Sequence, residues 1–304
     1  MACAGQSNGT SEIENNMVKE TILKAEPNTV VIRPTKGWMA LNLRDLWLYR
    51  ELIYFMTWRD LKVRYKQTLL GVSWAVLNPF LNMVVFSIFF GGLAKMPSDG
   101  IPYPIFSYVG LLPWGLFANA LLNASRSLYG NQNMVSKVYF PRLVLPLSSV
   151  LSGIVDFGIA SLVLVGITLY YNLTGITHLM FTWAMLTLPL YLLLALGTAL
   201  GVALWLSALY VQYHDVGYIL PFLAGFWQIL SPVVYSTTLI PEKWQVLYAL
   251  NPMAGVVNGF RWAILGTPTG PSTDLIISTS VAILLLVSGL IYFRRMEKTF
   301  ADTI

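Results

Sequence analysis

Six stretches of this sequence are long and apolar, with hardly a charged side chain among them. A helix needs about 20 apolar residues to cross the hydrocarbon core of a bilayer, which is about 30 Å thick. The stretches are continuously apolar, whereas strands of a membrane barrel alternate with a period of two. The pattern predicts an all-α polytopic membrane protein with six transmembrane helices, at residues 71–93, 103–122, 143–171, 179–211, 216–236 and 274–293.

The charged fraction of the chain supports the same class of protein. Only 11% of the 304 residues are charged and 56% are hydrophobic, whereas soluble domains carry about 25% charged residues. A chain of this composition cannot cover a compact surface with polar side chains. We therefore expect most of its surface to contact lipid.

The lysines and arginines indicate an orientation. If the amino terminus is cytoplasmic, all of the 19 cations except Lys95, Lys243 and Arg261 fall in inside segments. An excess of cations on the cytoplasmic side is typical of membrane proteins, so both termini are predicted to be cytoplasmic. Residues 1–35 are polar and lack the apolar centre of a signal peptide, which predicts a flexible cytoplasmic tail.

A segment rich in cations and aromatic residues precedes the first predicted span. Residues 41–66 are predicted to form an amphipathic interfacial helix, because such side chains suit the headgroup level. Its apolar positions are spread around the helix, which indicates contact with lipid on one side and protein on the other. The cations either anchor the helix on the anionic leaflet or contact a partner or an anionic substrate. Candidates for binding a phosphate group of a substrate are Arg59, Arg64 and Lys66.

Residues 237–265, between the fifth and sixth spans, contain two apolar segments of intermediate length. Segments of 10–14 residues are typical of re-entrant or interfacial helices. Pro241 can open the first helix, and Asn251 with Pro252 forms an N-cap and N1 pair for the second. We expect two re-entrant external helices, which either cap a central pathway or brace the neighbouring spans.

Asparagines recur four residues apart within two predicted spans. Asn78 and Asn82 share one helical face, and Asn119 and Asn123 repeat the spacing. Polar contacts between membrane helices contribute about 0.6 kcal/mol on average, so such pairs are typical of helix packing.

Asp156 is a carboxylate inside the third predicted span, where an ionisable side chain indicates a function. Ser149, Ser152 and a neighbouring helix offer a structural alternative, because no Lys or Arg accompanies Asp156 within the spans. Candidates for lining or gating a pathway are Asn78, Asn82, Asp156, Asn251 and Arg261.

The motifs of catalysis and cofactor binding are missing from the sequence. No glycine is followed by lysine, so the G-x-x-x-x-G-K-[ST] phosphate loop is absent. Cys3, His178 and His214 are the only cysteine and histidines, too few for a zinc site. These absences predict a chain that is not an enzyme and holds no cofactor or metal.

The predicted inside loop after the second span is short and basic. It carries Arg126, Lys137 and Arg142, and Pro141 is placed to end a small helix. The loop is too small for a catalytic domain; the resemblance described next implies that these three cations are candidates for coupling the chain to a partner ATPase.

Four segments resemble, in order, the permease subunit of bacterial ABC-2 polysaccharide exporters, the family that moves O-antigen, capsular polysaccharide and teichoic acid. They read "RYKQTLLGVSWAVLNPFLN", "YFPRLVLPLSSVLSGIVD", "LYVQYHDVGYILPFLAGFWQILSPVVY" and "ALNPMAGVVNGFRWAIL". The resemblance implies that residues 36–298 form an ABC-2 type transmembrane domain. One departure is the sequence Tyr213-His214-Asp215, where the family has arginine before the aspartate.

The resemblance implies a mechanism in the bacterial inner membrane. Two copies of the permease form a channel, and two copies of a separate ABC ATPase bind ATP and Mg, with residues 131–142 as a coupling helix. The implied substrate is a glycan on undecaprenyl pyrophosphate, which enters from the cytoplasmic leaflet. Aromatic side chains suit the apolar faces of sugar rings, but the sequence does not select those that line the channel. No nucleic-acid partner is implied. Alternatives are an ABC-2 exporter of a drug or small lipid and, less favoured, a polytopic membrane enzyme.

Overall fold

The computed structural model describes residues 43–66, 71, 73–176, 182–267, 270, 273–297 and 300. Within these residues the chain forms helices and connecting turns and no strand, which confirms the all-α prediction. The predicted tail at residues 1–35, the first two residues of the predicted interfacial helix and Lys298 lie outside the described residues.

The described helices are numbered in chain order. They are α1 (Leu43–Leu48), α2 (Arg50–Lys66), α3 (Ser73–Phe86), α4 (Tyr103–Gly130), α5 (Gln132–Val135), α6 (Val144–Leu173), α7 (Leu188–Gln212), α8 (Val216–Leu230), α9 (Glu242–Ala249), α10 (Pro252–Leu265) and α11 (Thr273–Met296). A π-helix, Ser87–Leu93, continues α3, and 3₁₀ turns at Trp183–Thr187 and Thr237–Leu239 precede α7 and α9.

Among the described residues, five helical segments are long and apolar enough to cross a membrane. They are Ser73–Leu93, Tyr103–Gly130, Val144–Leu173, Trp183–Gln212 and Thr273–Met296. The other predicted span, residues 216–236, contains the shorter apolar helix α8, which ends at Leu230. Ser231 adopts an extended conformation, with a ψ of 148°. Pro232 explains this end, because proline disfavours helical dihedrals in the preceding residue.

Helix α4 lies at the centre of the bundle. It packs against α3, α6, α7, α8 and α10, and most of its side chains are buried. It extends past residue 122, the predicted end of the span, to Gly130. The prediction ended early because the absence of charge marks the bilayer core, whereas a helix can continue into water through polar residues.

The connections between the long helices lie at two opposite ends of the molecule. One end holds residues 131–143, the turn between α7 and α8, and the end of α11; we call it the basic end because Lys137, Arg142, Arg294 and Arg295 lie there. The opposite end holds residues 94–102 and 231–251. At the basic end the backbone N–H of Arg142 donates to Glu297 Oε1 at 3.3 Å, which ties the loop before α6 to the residue that follows α11.

Two short helices, α9 and α10, occupy the region where re-entrant helices were predicted. Helix α9 begins at Glu242, directly after Pro241. The Asn251 side chain accepts a hydrogen bond from the Met253 N–H at 3.1 Å, and Pro252 is the first residue of α10. The predicted N-cap is therefore confirmed.

Two segments differ from the helices expected of them. The interfacial helix is divided at Tyr49 into α1 and α2. The implied coupling helix, residues 131–142, is reduced to α5, which ends at Val135, and turns continue to the start of α6. Pro141 contributes to this, because it disfavours helical dihedrals at Phe140.

Candidate functional site

A polar contact joins α2 to the first half of α6. The Arg64 guanidinium donates to one carboxylate oxygen of Asp156, and the Tyr65 hydroxyl donates to the other. A second Arg64 nitrogen, Nη2, lies 3.4 Å from Ser152 Oγ. Burial and the adjacent Asp156 carboxylate raise the pKa of the Tyr65 hydroxyl, so it stays protonated and acts as a donor.

This contact corrects the expected surroundings of Asp156. A basic partner was not expected, yet Arg64 pairs with the carboxylate across 92 residues of sequence. Ser149 and Ser152, expected to satisfy Asp156, contact α2 instead: Ser149 donates to Asp60 Oδ2 at 3.3 Å. A neighbouring helix was expected as an alternative source of partners, and α2 is such a helix. Arg64 was not expected because it lies outside the apolar spans.

The length of α6 explains how a charged pair is tolerated there. Its 30 residues span about 45 Å at 1.5 Å per residue, against about 30 Å for the bilayer core. Thr57, Asp60 and Arg64 of α2 contact the first turns of α6, which places the surplus length at the basic end. If α2 lies at the headgroup level, as the sequence predicts, Asp156 then lies near the edge of the bilayer core, where snorkelling cations are tolerated.

The three predicted phosphate-binding cations have different surroundings. Arg64 is engaged by Asp156. Arg59 pairs with its neighbour Asp60 at 2.8 Å and remains 38% exposed. Lys66 is exposed and forms no ion pair within the described part of the chain. Lys66 is therefore the most accessible of the three to an anionic ligand.

Arg261 is enclosed at the opposite end. Its guanidinium carbon lies 3.7 Å from the centre of the Phe106 ring. Its Nη1 and Nη2 donate to the carbonyl oxygens of Tyr235 and Val233 at 3.0 and 2.8 Å. Gly110 makes room for this arrangement, because a Cβ there would lie 2.8 Å from Arg261 Nη2. The side chain holds the turn after α8 against α4.

Asn251 serves the same turn. Its side-chain oxygen accepts from Trp227 Nε1 at 2.9 Å, and its nitrogen donates to Ser231 Oγ at 2.9 Å. Asn251 thus joins α8 to α10. For Asn251 and Arg261, the contacts favour the alternative in which the short helices brace the neighbouring spans.

The predicted coupling cations do not form one cluster. Arg126 Nη2 lies 3.4 Å from the Gly217 carbonyl oxygen at the start of α8. The Arg142 guanidinium donates to the Glu297 carbonyl oxygen and lies over the Phe300 ring. Lys137 is exposed beside Val138 and Tyr139, which are 58% and 73% exposed. Residues 137–139 form the accessible patch of this loop, and we call them the loop patch.

Polar side chains are exposed along two of the candidate spans. On α3, Asn82 Nδ2 donates to Asn78 Oδ1 at 3.1 Å, and both side chains are exposed. On α4, Asn119 and Arg126 are exposed and Asn123 is half-buried. We call these five residues the polar stripe.

An aromatic stripe on α8 was not selected by the sequence analysis. Tyr218, Phe222 and Phe226 follow one another at intervals of four residues, and their side chains are 85%, 74% and 53% exposed. The rings of Phe222 and Phe226 stack at 6.3 Å between centroids. The spacing was visible in the sequence, because residues four apart share a helical face. The exposure of these rings could not be predicted from the sequence, because many other aromatic residues of the chain are buried.

Residues 51–265 match the family profile described as "ABC-2 type transporter". The chain belongs to this family. Membership implies a multi-pass membrane protein that works with an ABC ATPase. The match begins in α2 and ends with α10, so it includes the polar contact, the polar stripe and the aromatic stripe.

Individual ABC-2 relatives are similar over most of their length. The chain is 27% identical to the O-antigen export system permease protein RfbA of Myxococcus xanthus, over 88% of this chain and 100% of the relative. It is 29% identical to a protein of that name from Klebsiella pneumoniae, over 87% of this chain and 98% of the relative. The polysialic acid transport protein KpsM of Escherichia coli is 21% identical, over 79% and 91%.

The contact between Arg64 and Asp156 predicts that these two side chains depend on each other. Arg64→Gln or Asp156→Asn leaves the other charge half-buried without its partner, at an expected cost of about 1–3 kcal/mol. Each variant should lower the apparent unfolding temperature in detergent, while the double variant should be no less stable than the worse single one. Arg59→Gln is the control, because Arg59 pairs only within α2. Additive losses for Arg64 and Asp156 would contradict the coupling.

Proposed function

We propose that the chain is the membrane-spanning subunit of an ATP-driven polysaccharide exporter. It carries a glycan linked to undecaprenyl pyrophosphate from the cytoplasmic to the outer side of the bacterial inner membrane. The names of the relatives support the substrate class. The observation that carries the proposal is the exposure of polar and aromatic stripes along helices that are otherwise suited to lipid.

The polar stripe supports a path through the membrane. Polar side chains in transmembrane segments favour a bundle interior or a water-filled cavity, because lipid offers them no hydrogen-bond partner. In one chain, Asn78, Asn82 and Asn119 lie on the surface. A second copy that covers α3, α4 and α8 would enclose these side chains in a channel between the two chains.

The aromatic stripe gives such a channel a surface suited to sugars. Aromatic rings pack against the C–H faces of pyranose rings, and this contact has little directional preference compared with a hydrogen bond. Tyr218, Phe222 and Phe226 could therefore contact successive sugars without fixing the chain in one position. The aromatic stripe would also fit a small lipid. An experiment is therefore needed to distinguish a glycan from the other substrate classes of ABC-2 exporters.

ATP and Mg are bound by the partner ATPase in this proposal, and two ATPase copies serve two permease copies. The missing phosphate loop supports this division. The loop patch, with its cation and exposed Val138 and Tyr139, is suited to docking against the ATPase. ATP hydrolysis by the purified chain alone would contradict the division.

The orientation is proposed from the cations, with the basic end in the cytoplasm. The pyrophosphate would then meet the exposed Lys66 and the partly exposed Arg59 at the cytoplasmic leaflet. Cysteine labelling in intact cells tests this orientation. An impermeant thiol reagent should label a cysteine at Ser98 and should not label a cysteine at Lys298.

Export by living cells tests the function. In a strain deleted for the chain, surface polysaccharide should be lost and intracellular glycan should accumulate, and the native chain should restore export. Phe222→Ala and Asn119→Leu should each reduce surface glycan several-fold, because they remove a ring and a polar group from the path. Leu162→Ala, which changes a 72% exposed side chain on α6, is the control. Undiminished surface polysaccharide in the deletion strain would overturn the proposal.

Cross-linking tests whether a second copy covers the stripes. In a Cys3→Ser background, Phe226→Cys should yield a covalent dimer with a short bifunctional thiol reagent in native membranes. Leu162→Cys should remain monomeric, because α6 at that position is expected to face lipid. Equal dimer yields at the two positions would contradict a specific interface at α8.

A further inference from the structure

A cavity of about 290 Å³ lies at the opposite end of the molecule. It is bounded by α9, α10, the first turns of α11, Tyr191 of α7 and the Thr237–Leu239 turn. Its volume is at the lower end of the range of about 300–1,000 Å³ for ligand sites. It is separate from the aromatic stripe, since no residue of α8 is among the described residues that line it.

Three of the polar side chains in the cavity wall have no partner among the described residues. Gln245, Asn258 and Asp274 form no side-chain hydrogen bond or ion pair within the part of the chain that the structure describes. Asn251, close by on the chain, differs because both of its amide atoms are bonded. Two amides and a carboxylate offer both donors and acceptors to a ligand.

Aromatic rings form another part of the wall. Tyr191 is 2% exposed and lies against Gly259, where a Cβ would approach its ring to 2.2 Å. The missing side chain at Gly259 therefore allows the ring to close this side of the cavity. Tyr248 also lines the cavity, and its hydroxyl is 3.1 Å from that of Tyr235. The bonded hydroxyl leaves the ring as an apolar surface.

The charge of the cavity wall restricts the chemical class of ligand that can bind there. Asp274 is acidic, and neither lysine nor arginine is found among the described residues of the wall. A phosphate or an acidic sugar would meet an uncompensated carboxylate at short range. A neutral ligand rich in hydroxyl groups can instead donate to Asp274 and exchange hydrogen bonds with the two amides.

We propose that this cavity is a binding site for a neutral sugar residue of the exported glycan. The inference rests on the proposed function and adds a location and a chemical class to it. A pyranose ring supplies an apolar face for the tyrosines and hydroxyl groups for Gln245, Asn258 and Asp274. With the basic end in the cytoplasm, the site holds glycan on the outer side of the membrane.

Photo-cross-linking in exporting cells tests the site. A benzophenone amino acid replaces Gln245, which is exposed and lines the cavity. The matched control is the same replacement at Val246, the next residue of α9, which is 65% exposed and is not part of the wall. After irradiation, the chain with the probe at position 245 should carry material that antiserum to the surface glycan detects, and the chain with the probe at 246 should not. Asn258→Leu and Asp274→Asn should each reduce the cross-link at least several-fold at equal protein level.

The outcomes separate the two proposals. Export that depends on the chain, with no glycan cross-linked at position 245, overturns the sugar site and leaves the exporter standing. Equal labelling at 245 and 246, a cross-link unchanged by the two cavity variants, or capture of phospholipid in place of glycan also overturns the site. Export that does not depend on the chain overturns both.

Discussion

The packing of α4 is the constraint on which the other helices depend. Lipid offers no hydrophobic driving force between membrane helices, so their association relies on close packing and on satisfied polar groups. Helix α4 supplies the packing through its contacts with α3, α6, α7, α8 and α10. Once its sides are covered, the uncovered face with Asn119 and Arg126 is the part that needs another partner. In the proposed exporter, the burial of this one helix thus determines where the second chain would lie.

Local sequence patterns predicted much of the fold. Apolar runs located the long helices, and Asn251 with Pro252 located the start of α10, because these signals act within a few residues. The Arg64–Asp156 contact could not be found in this way, since it depends on how α2 folds back on α6. The aromatic stripe was missed for a related reason: spacing shows that three rings share a face, but only the packed structure shows that the face is uncovered.

The candidate residues divide according to whether the fold already uses their polar atoms. Arg261, Asn251 and Asp156 have bonded partners and position backbone turns or helices. Lys66 and Lys137 are exposed and remain accessible to a ligand or a partner. A substitution in the first group would leave polar atoms unpaired inside the fold, whereas a substitution of Lys66 or Lys137 would remove only an external contact.

The length of α4 has a mechanical consequence. Its 28 residues form a rod of about 42 Å that runs from the turn held by Arg261 to the loop that bears Lys137. A force applied to that loop is therefore transmitted along a single helix, without a flexible joint between separate elements. Pro113 is the weak point of the rod, because proline removes one backbone hydrogen bond and permits bending. It lies one turn from Gly110, so the bend would tilt the segment on which the Arg261 contact rests.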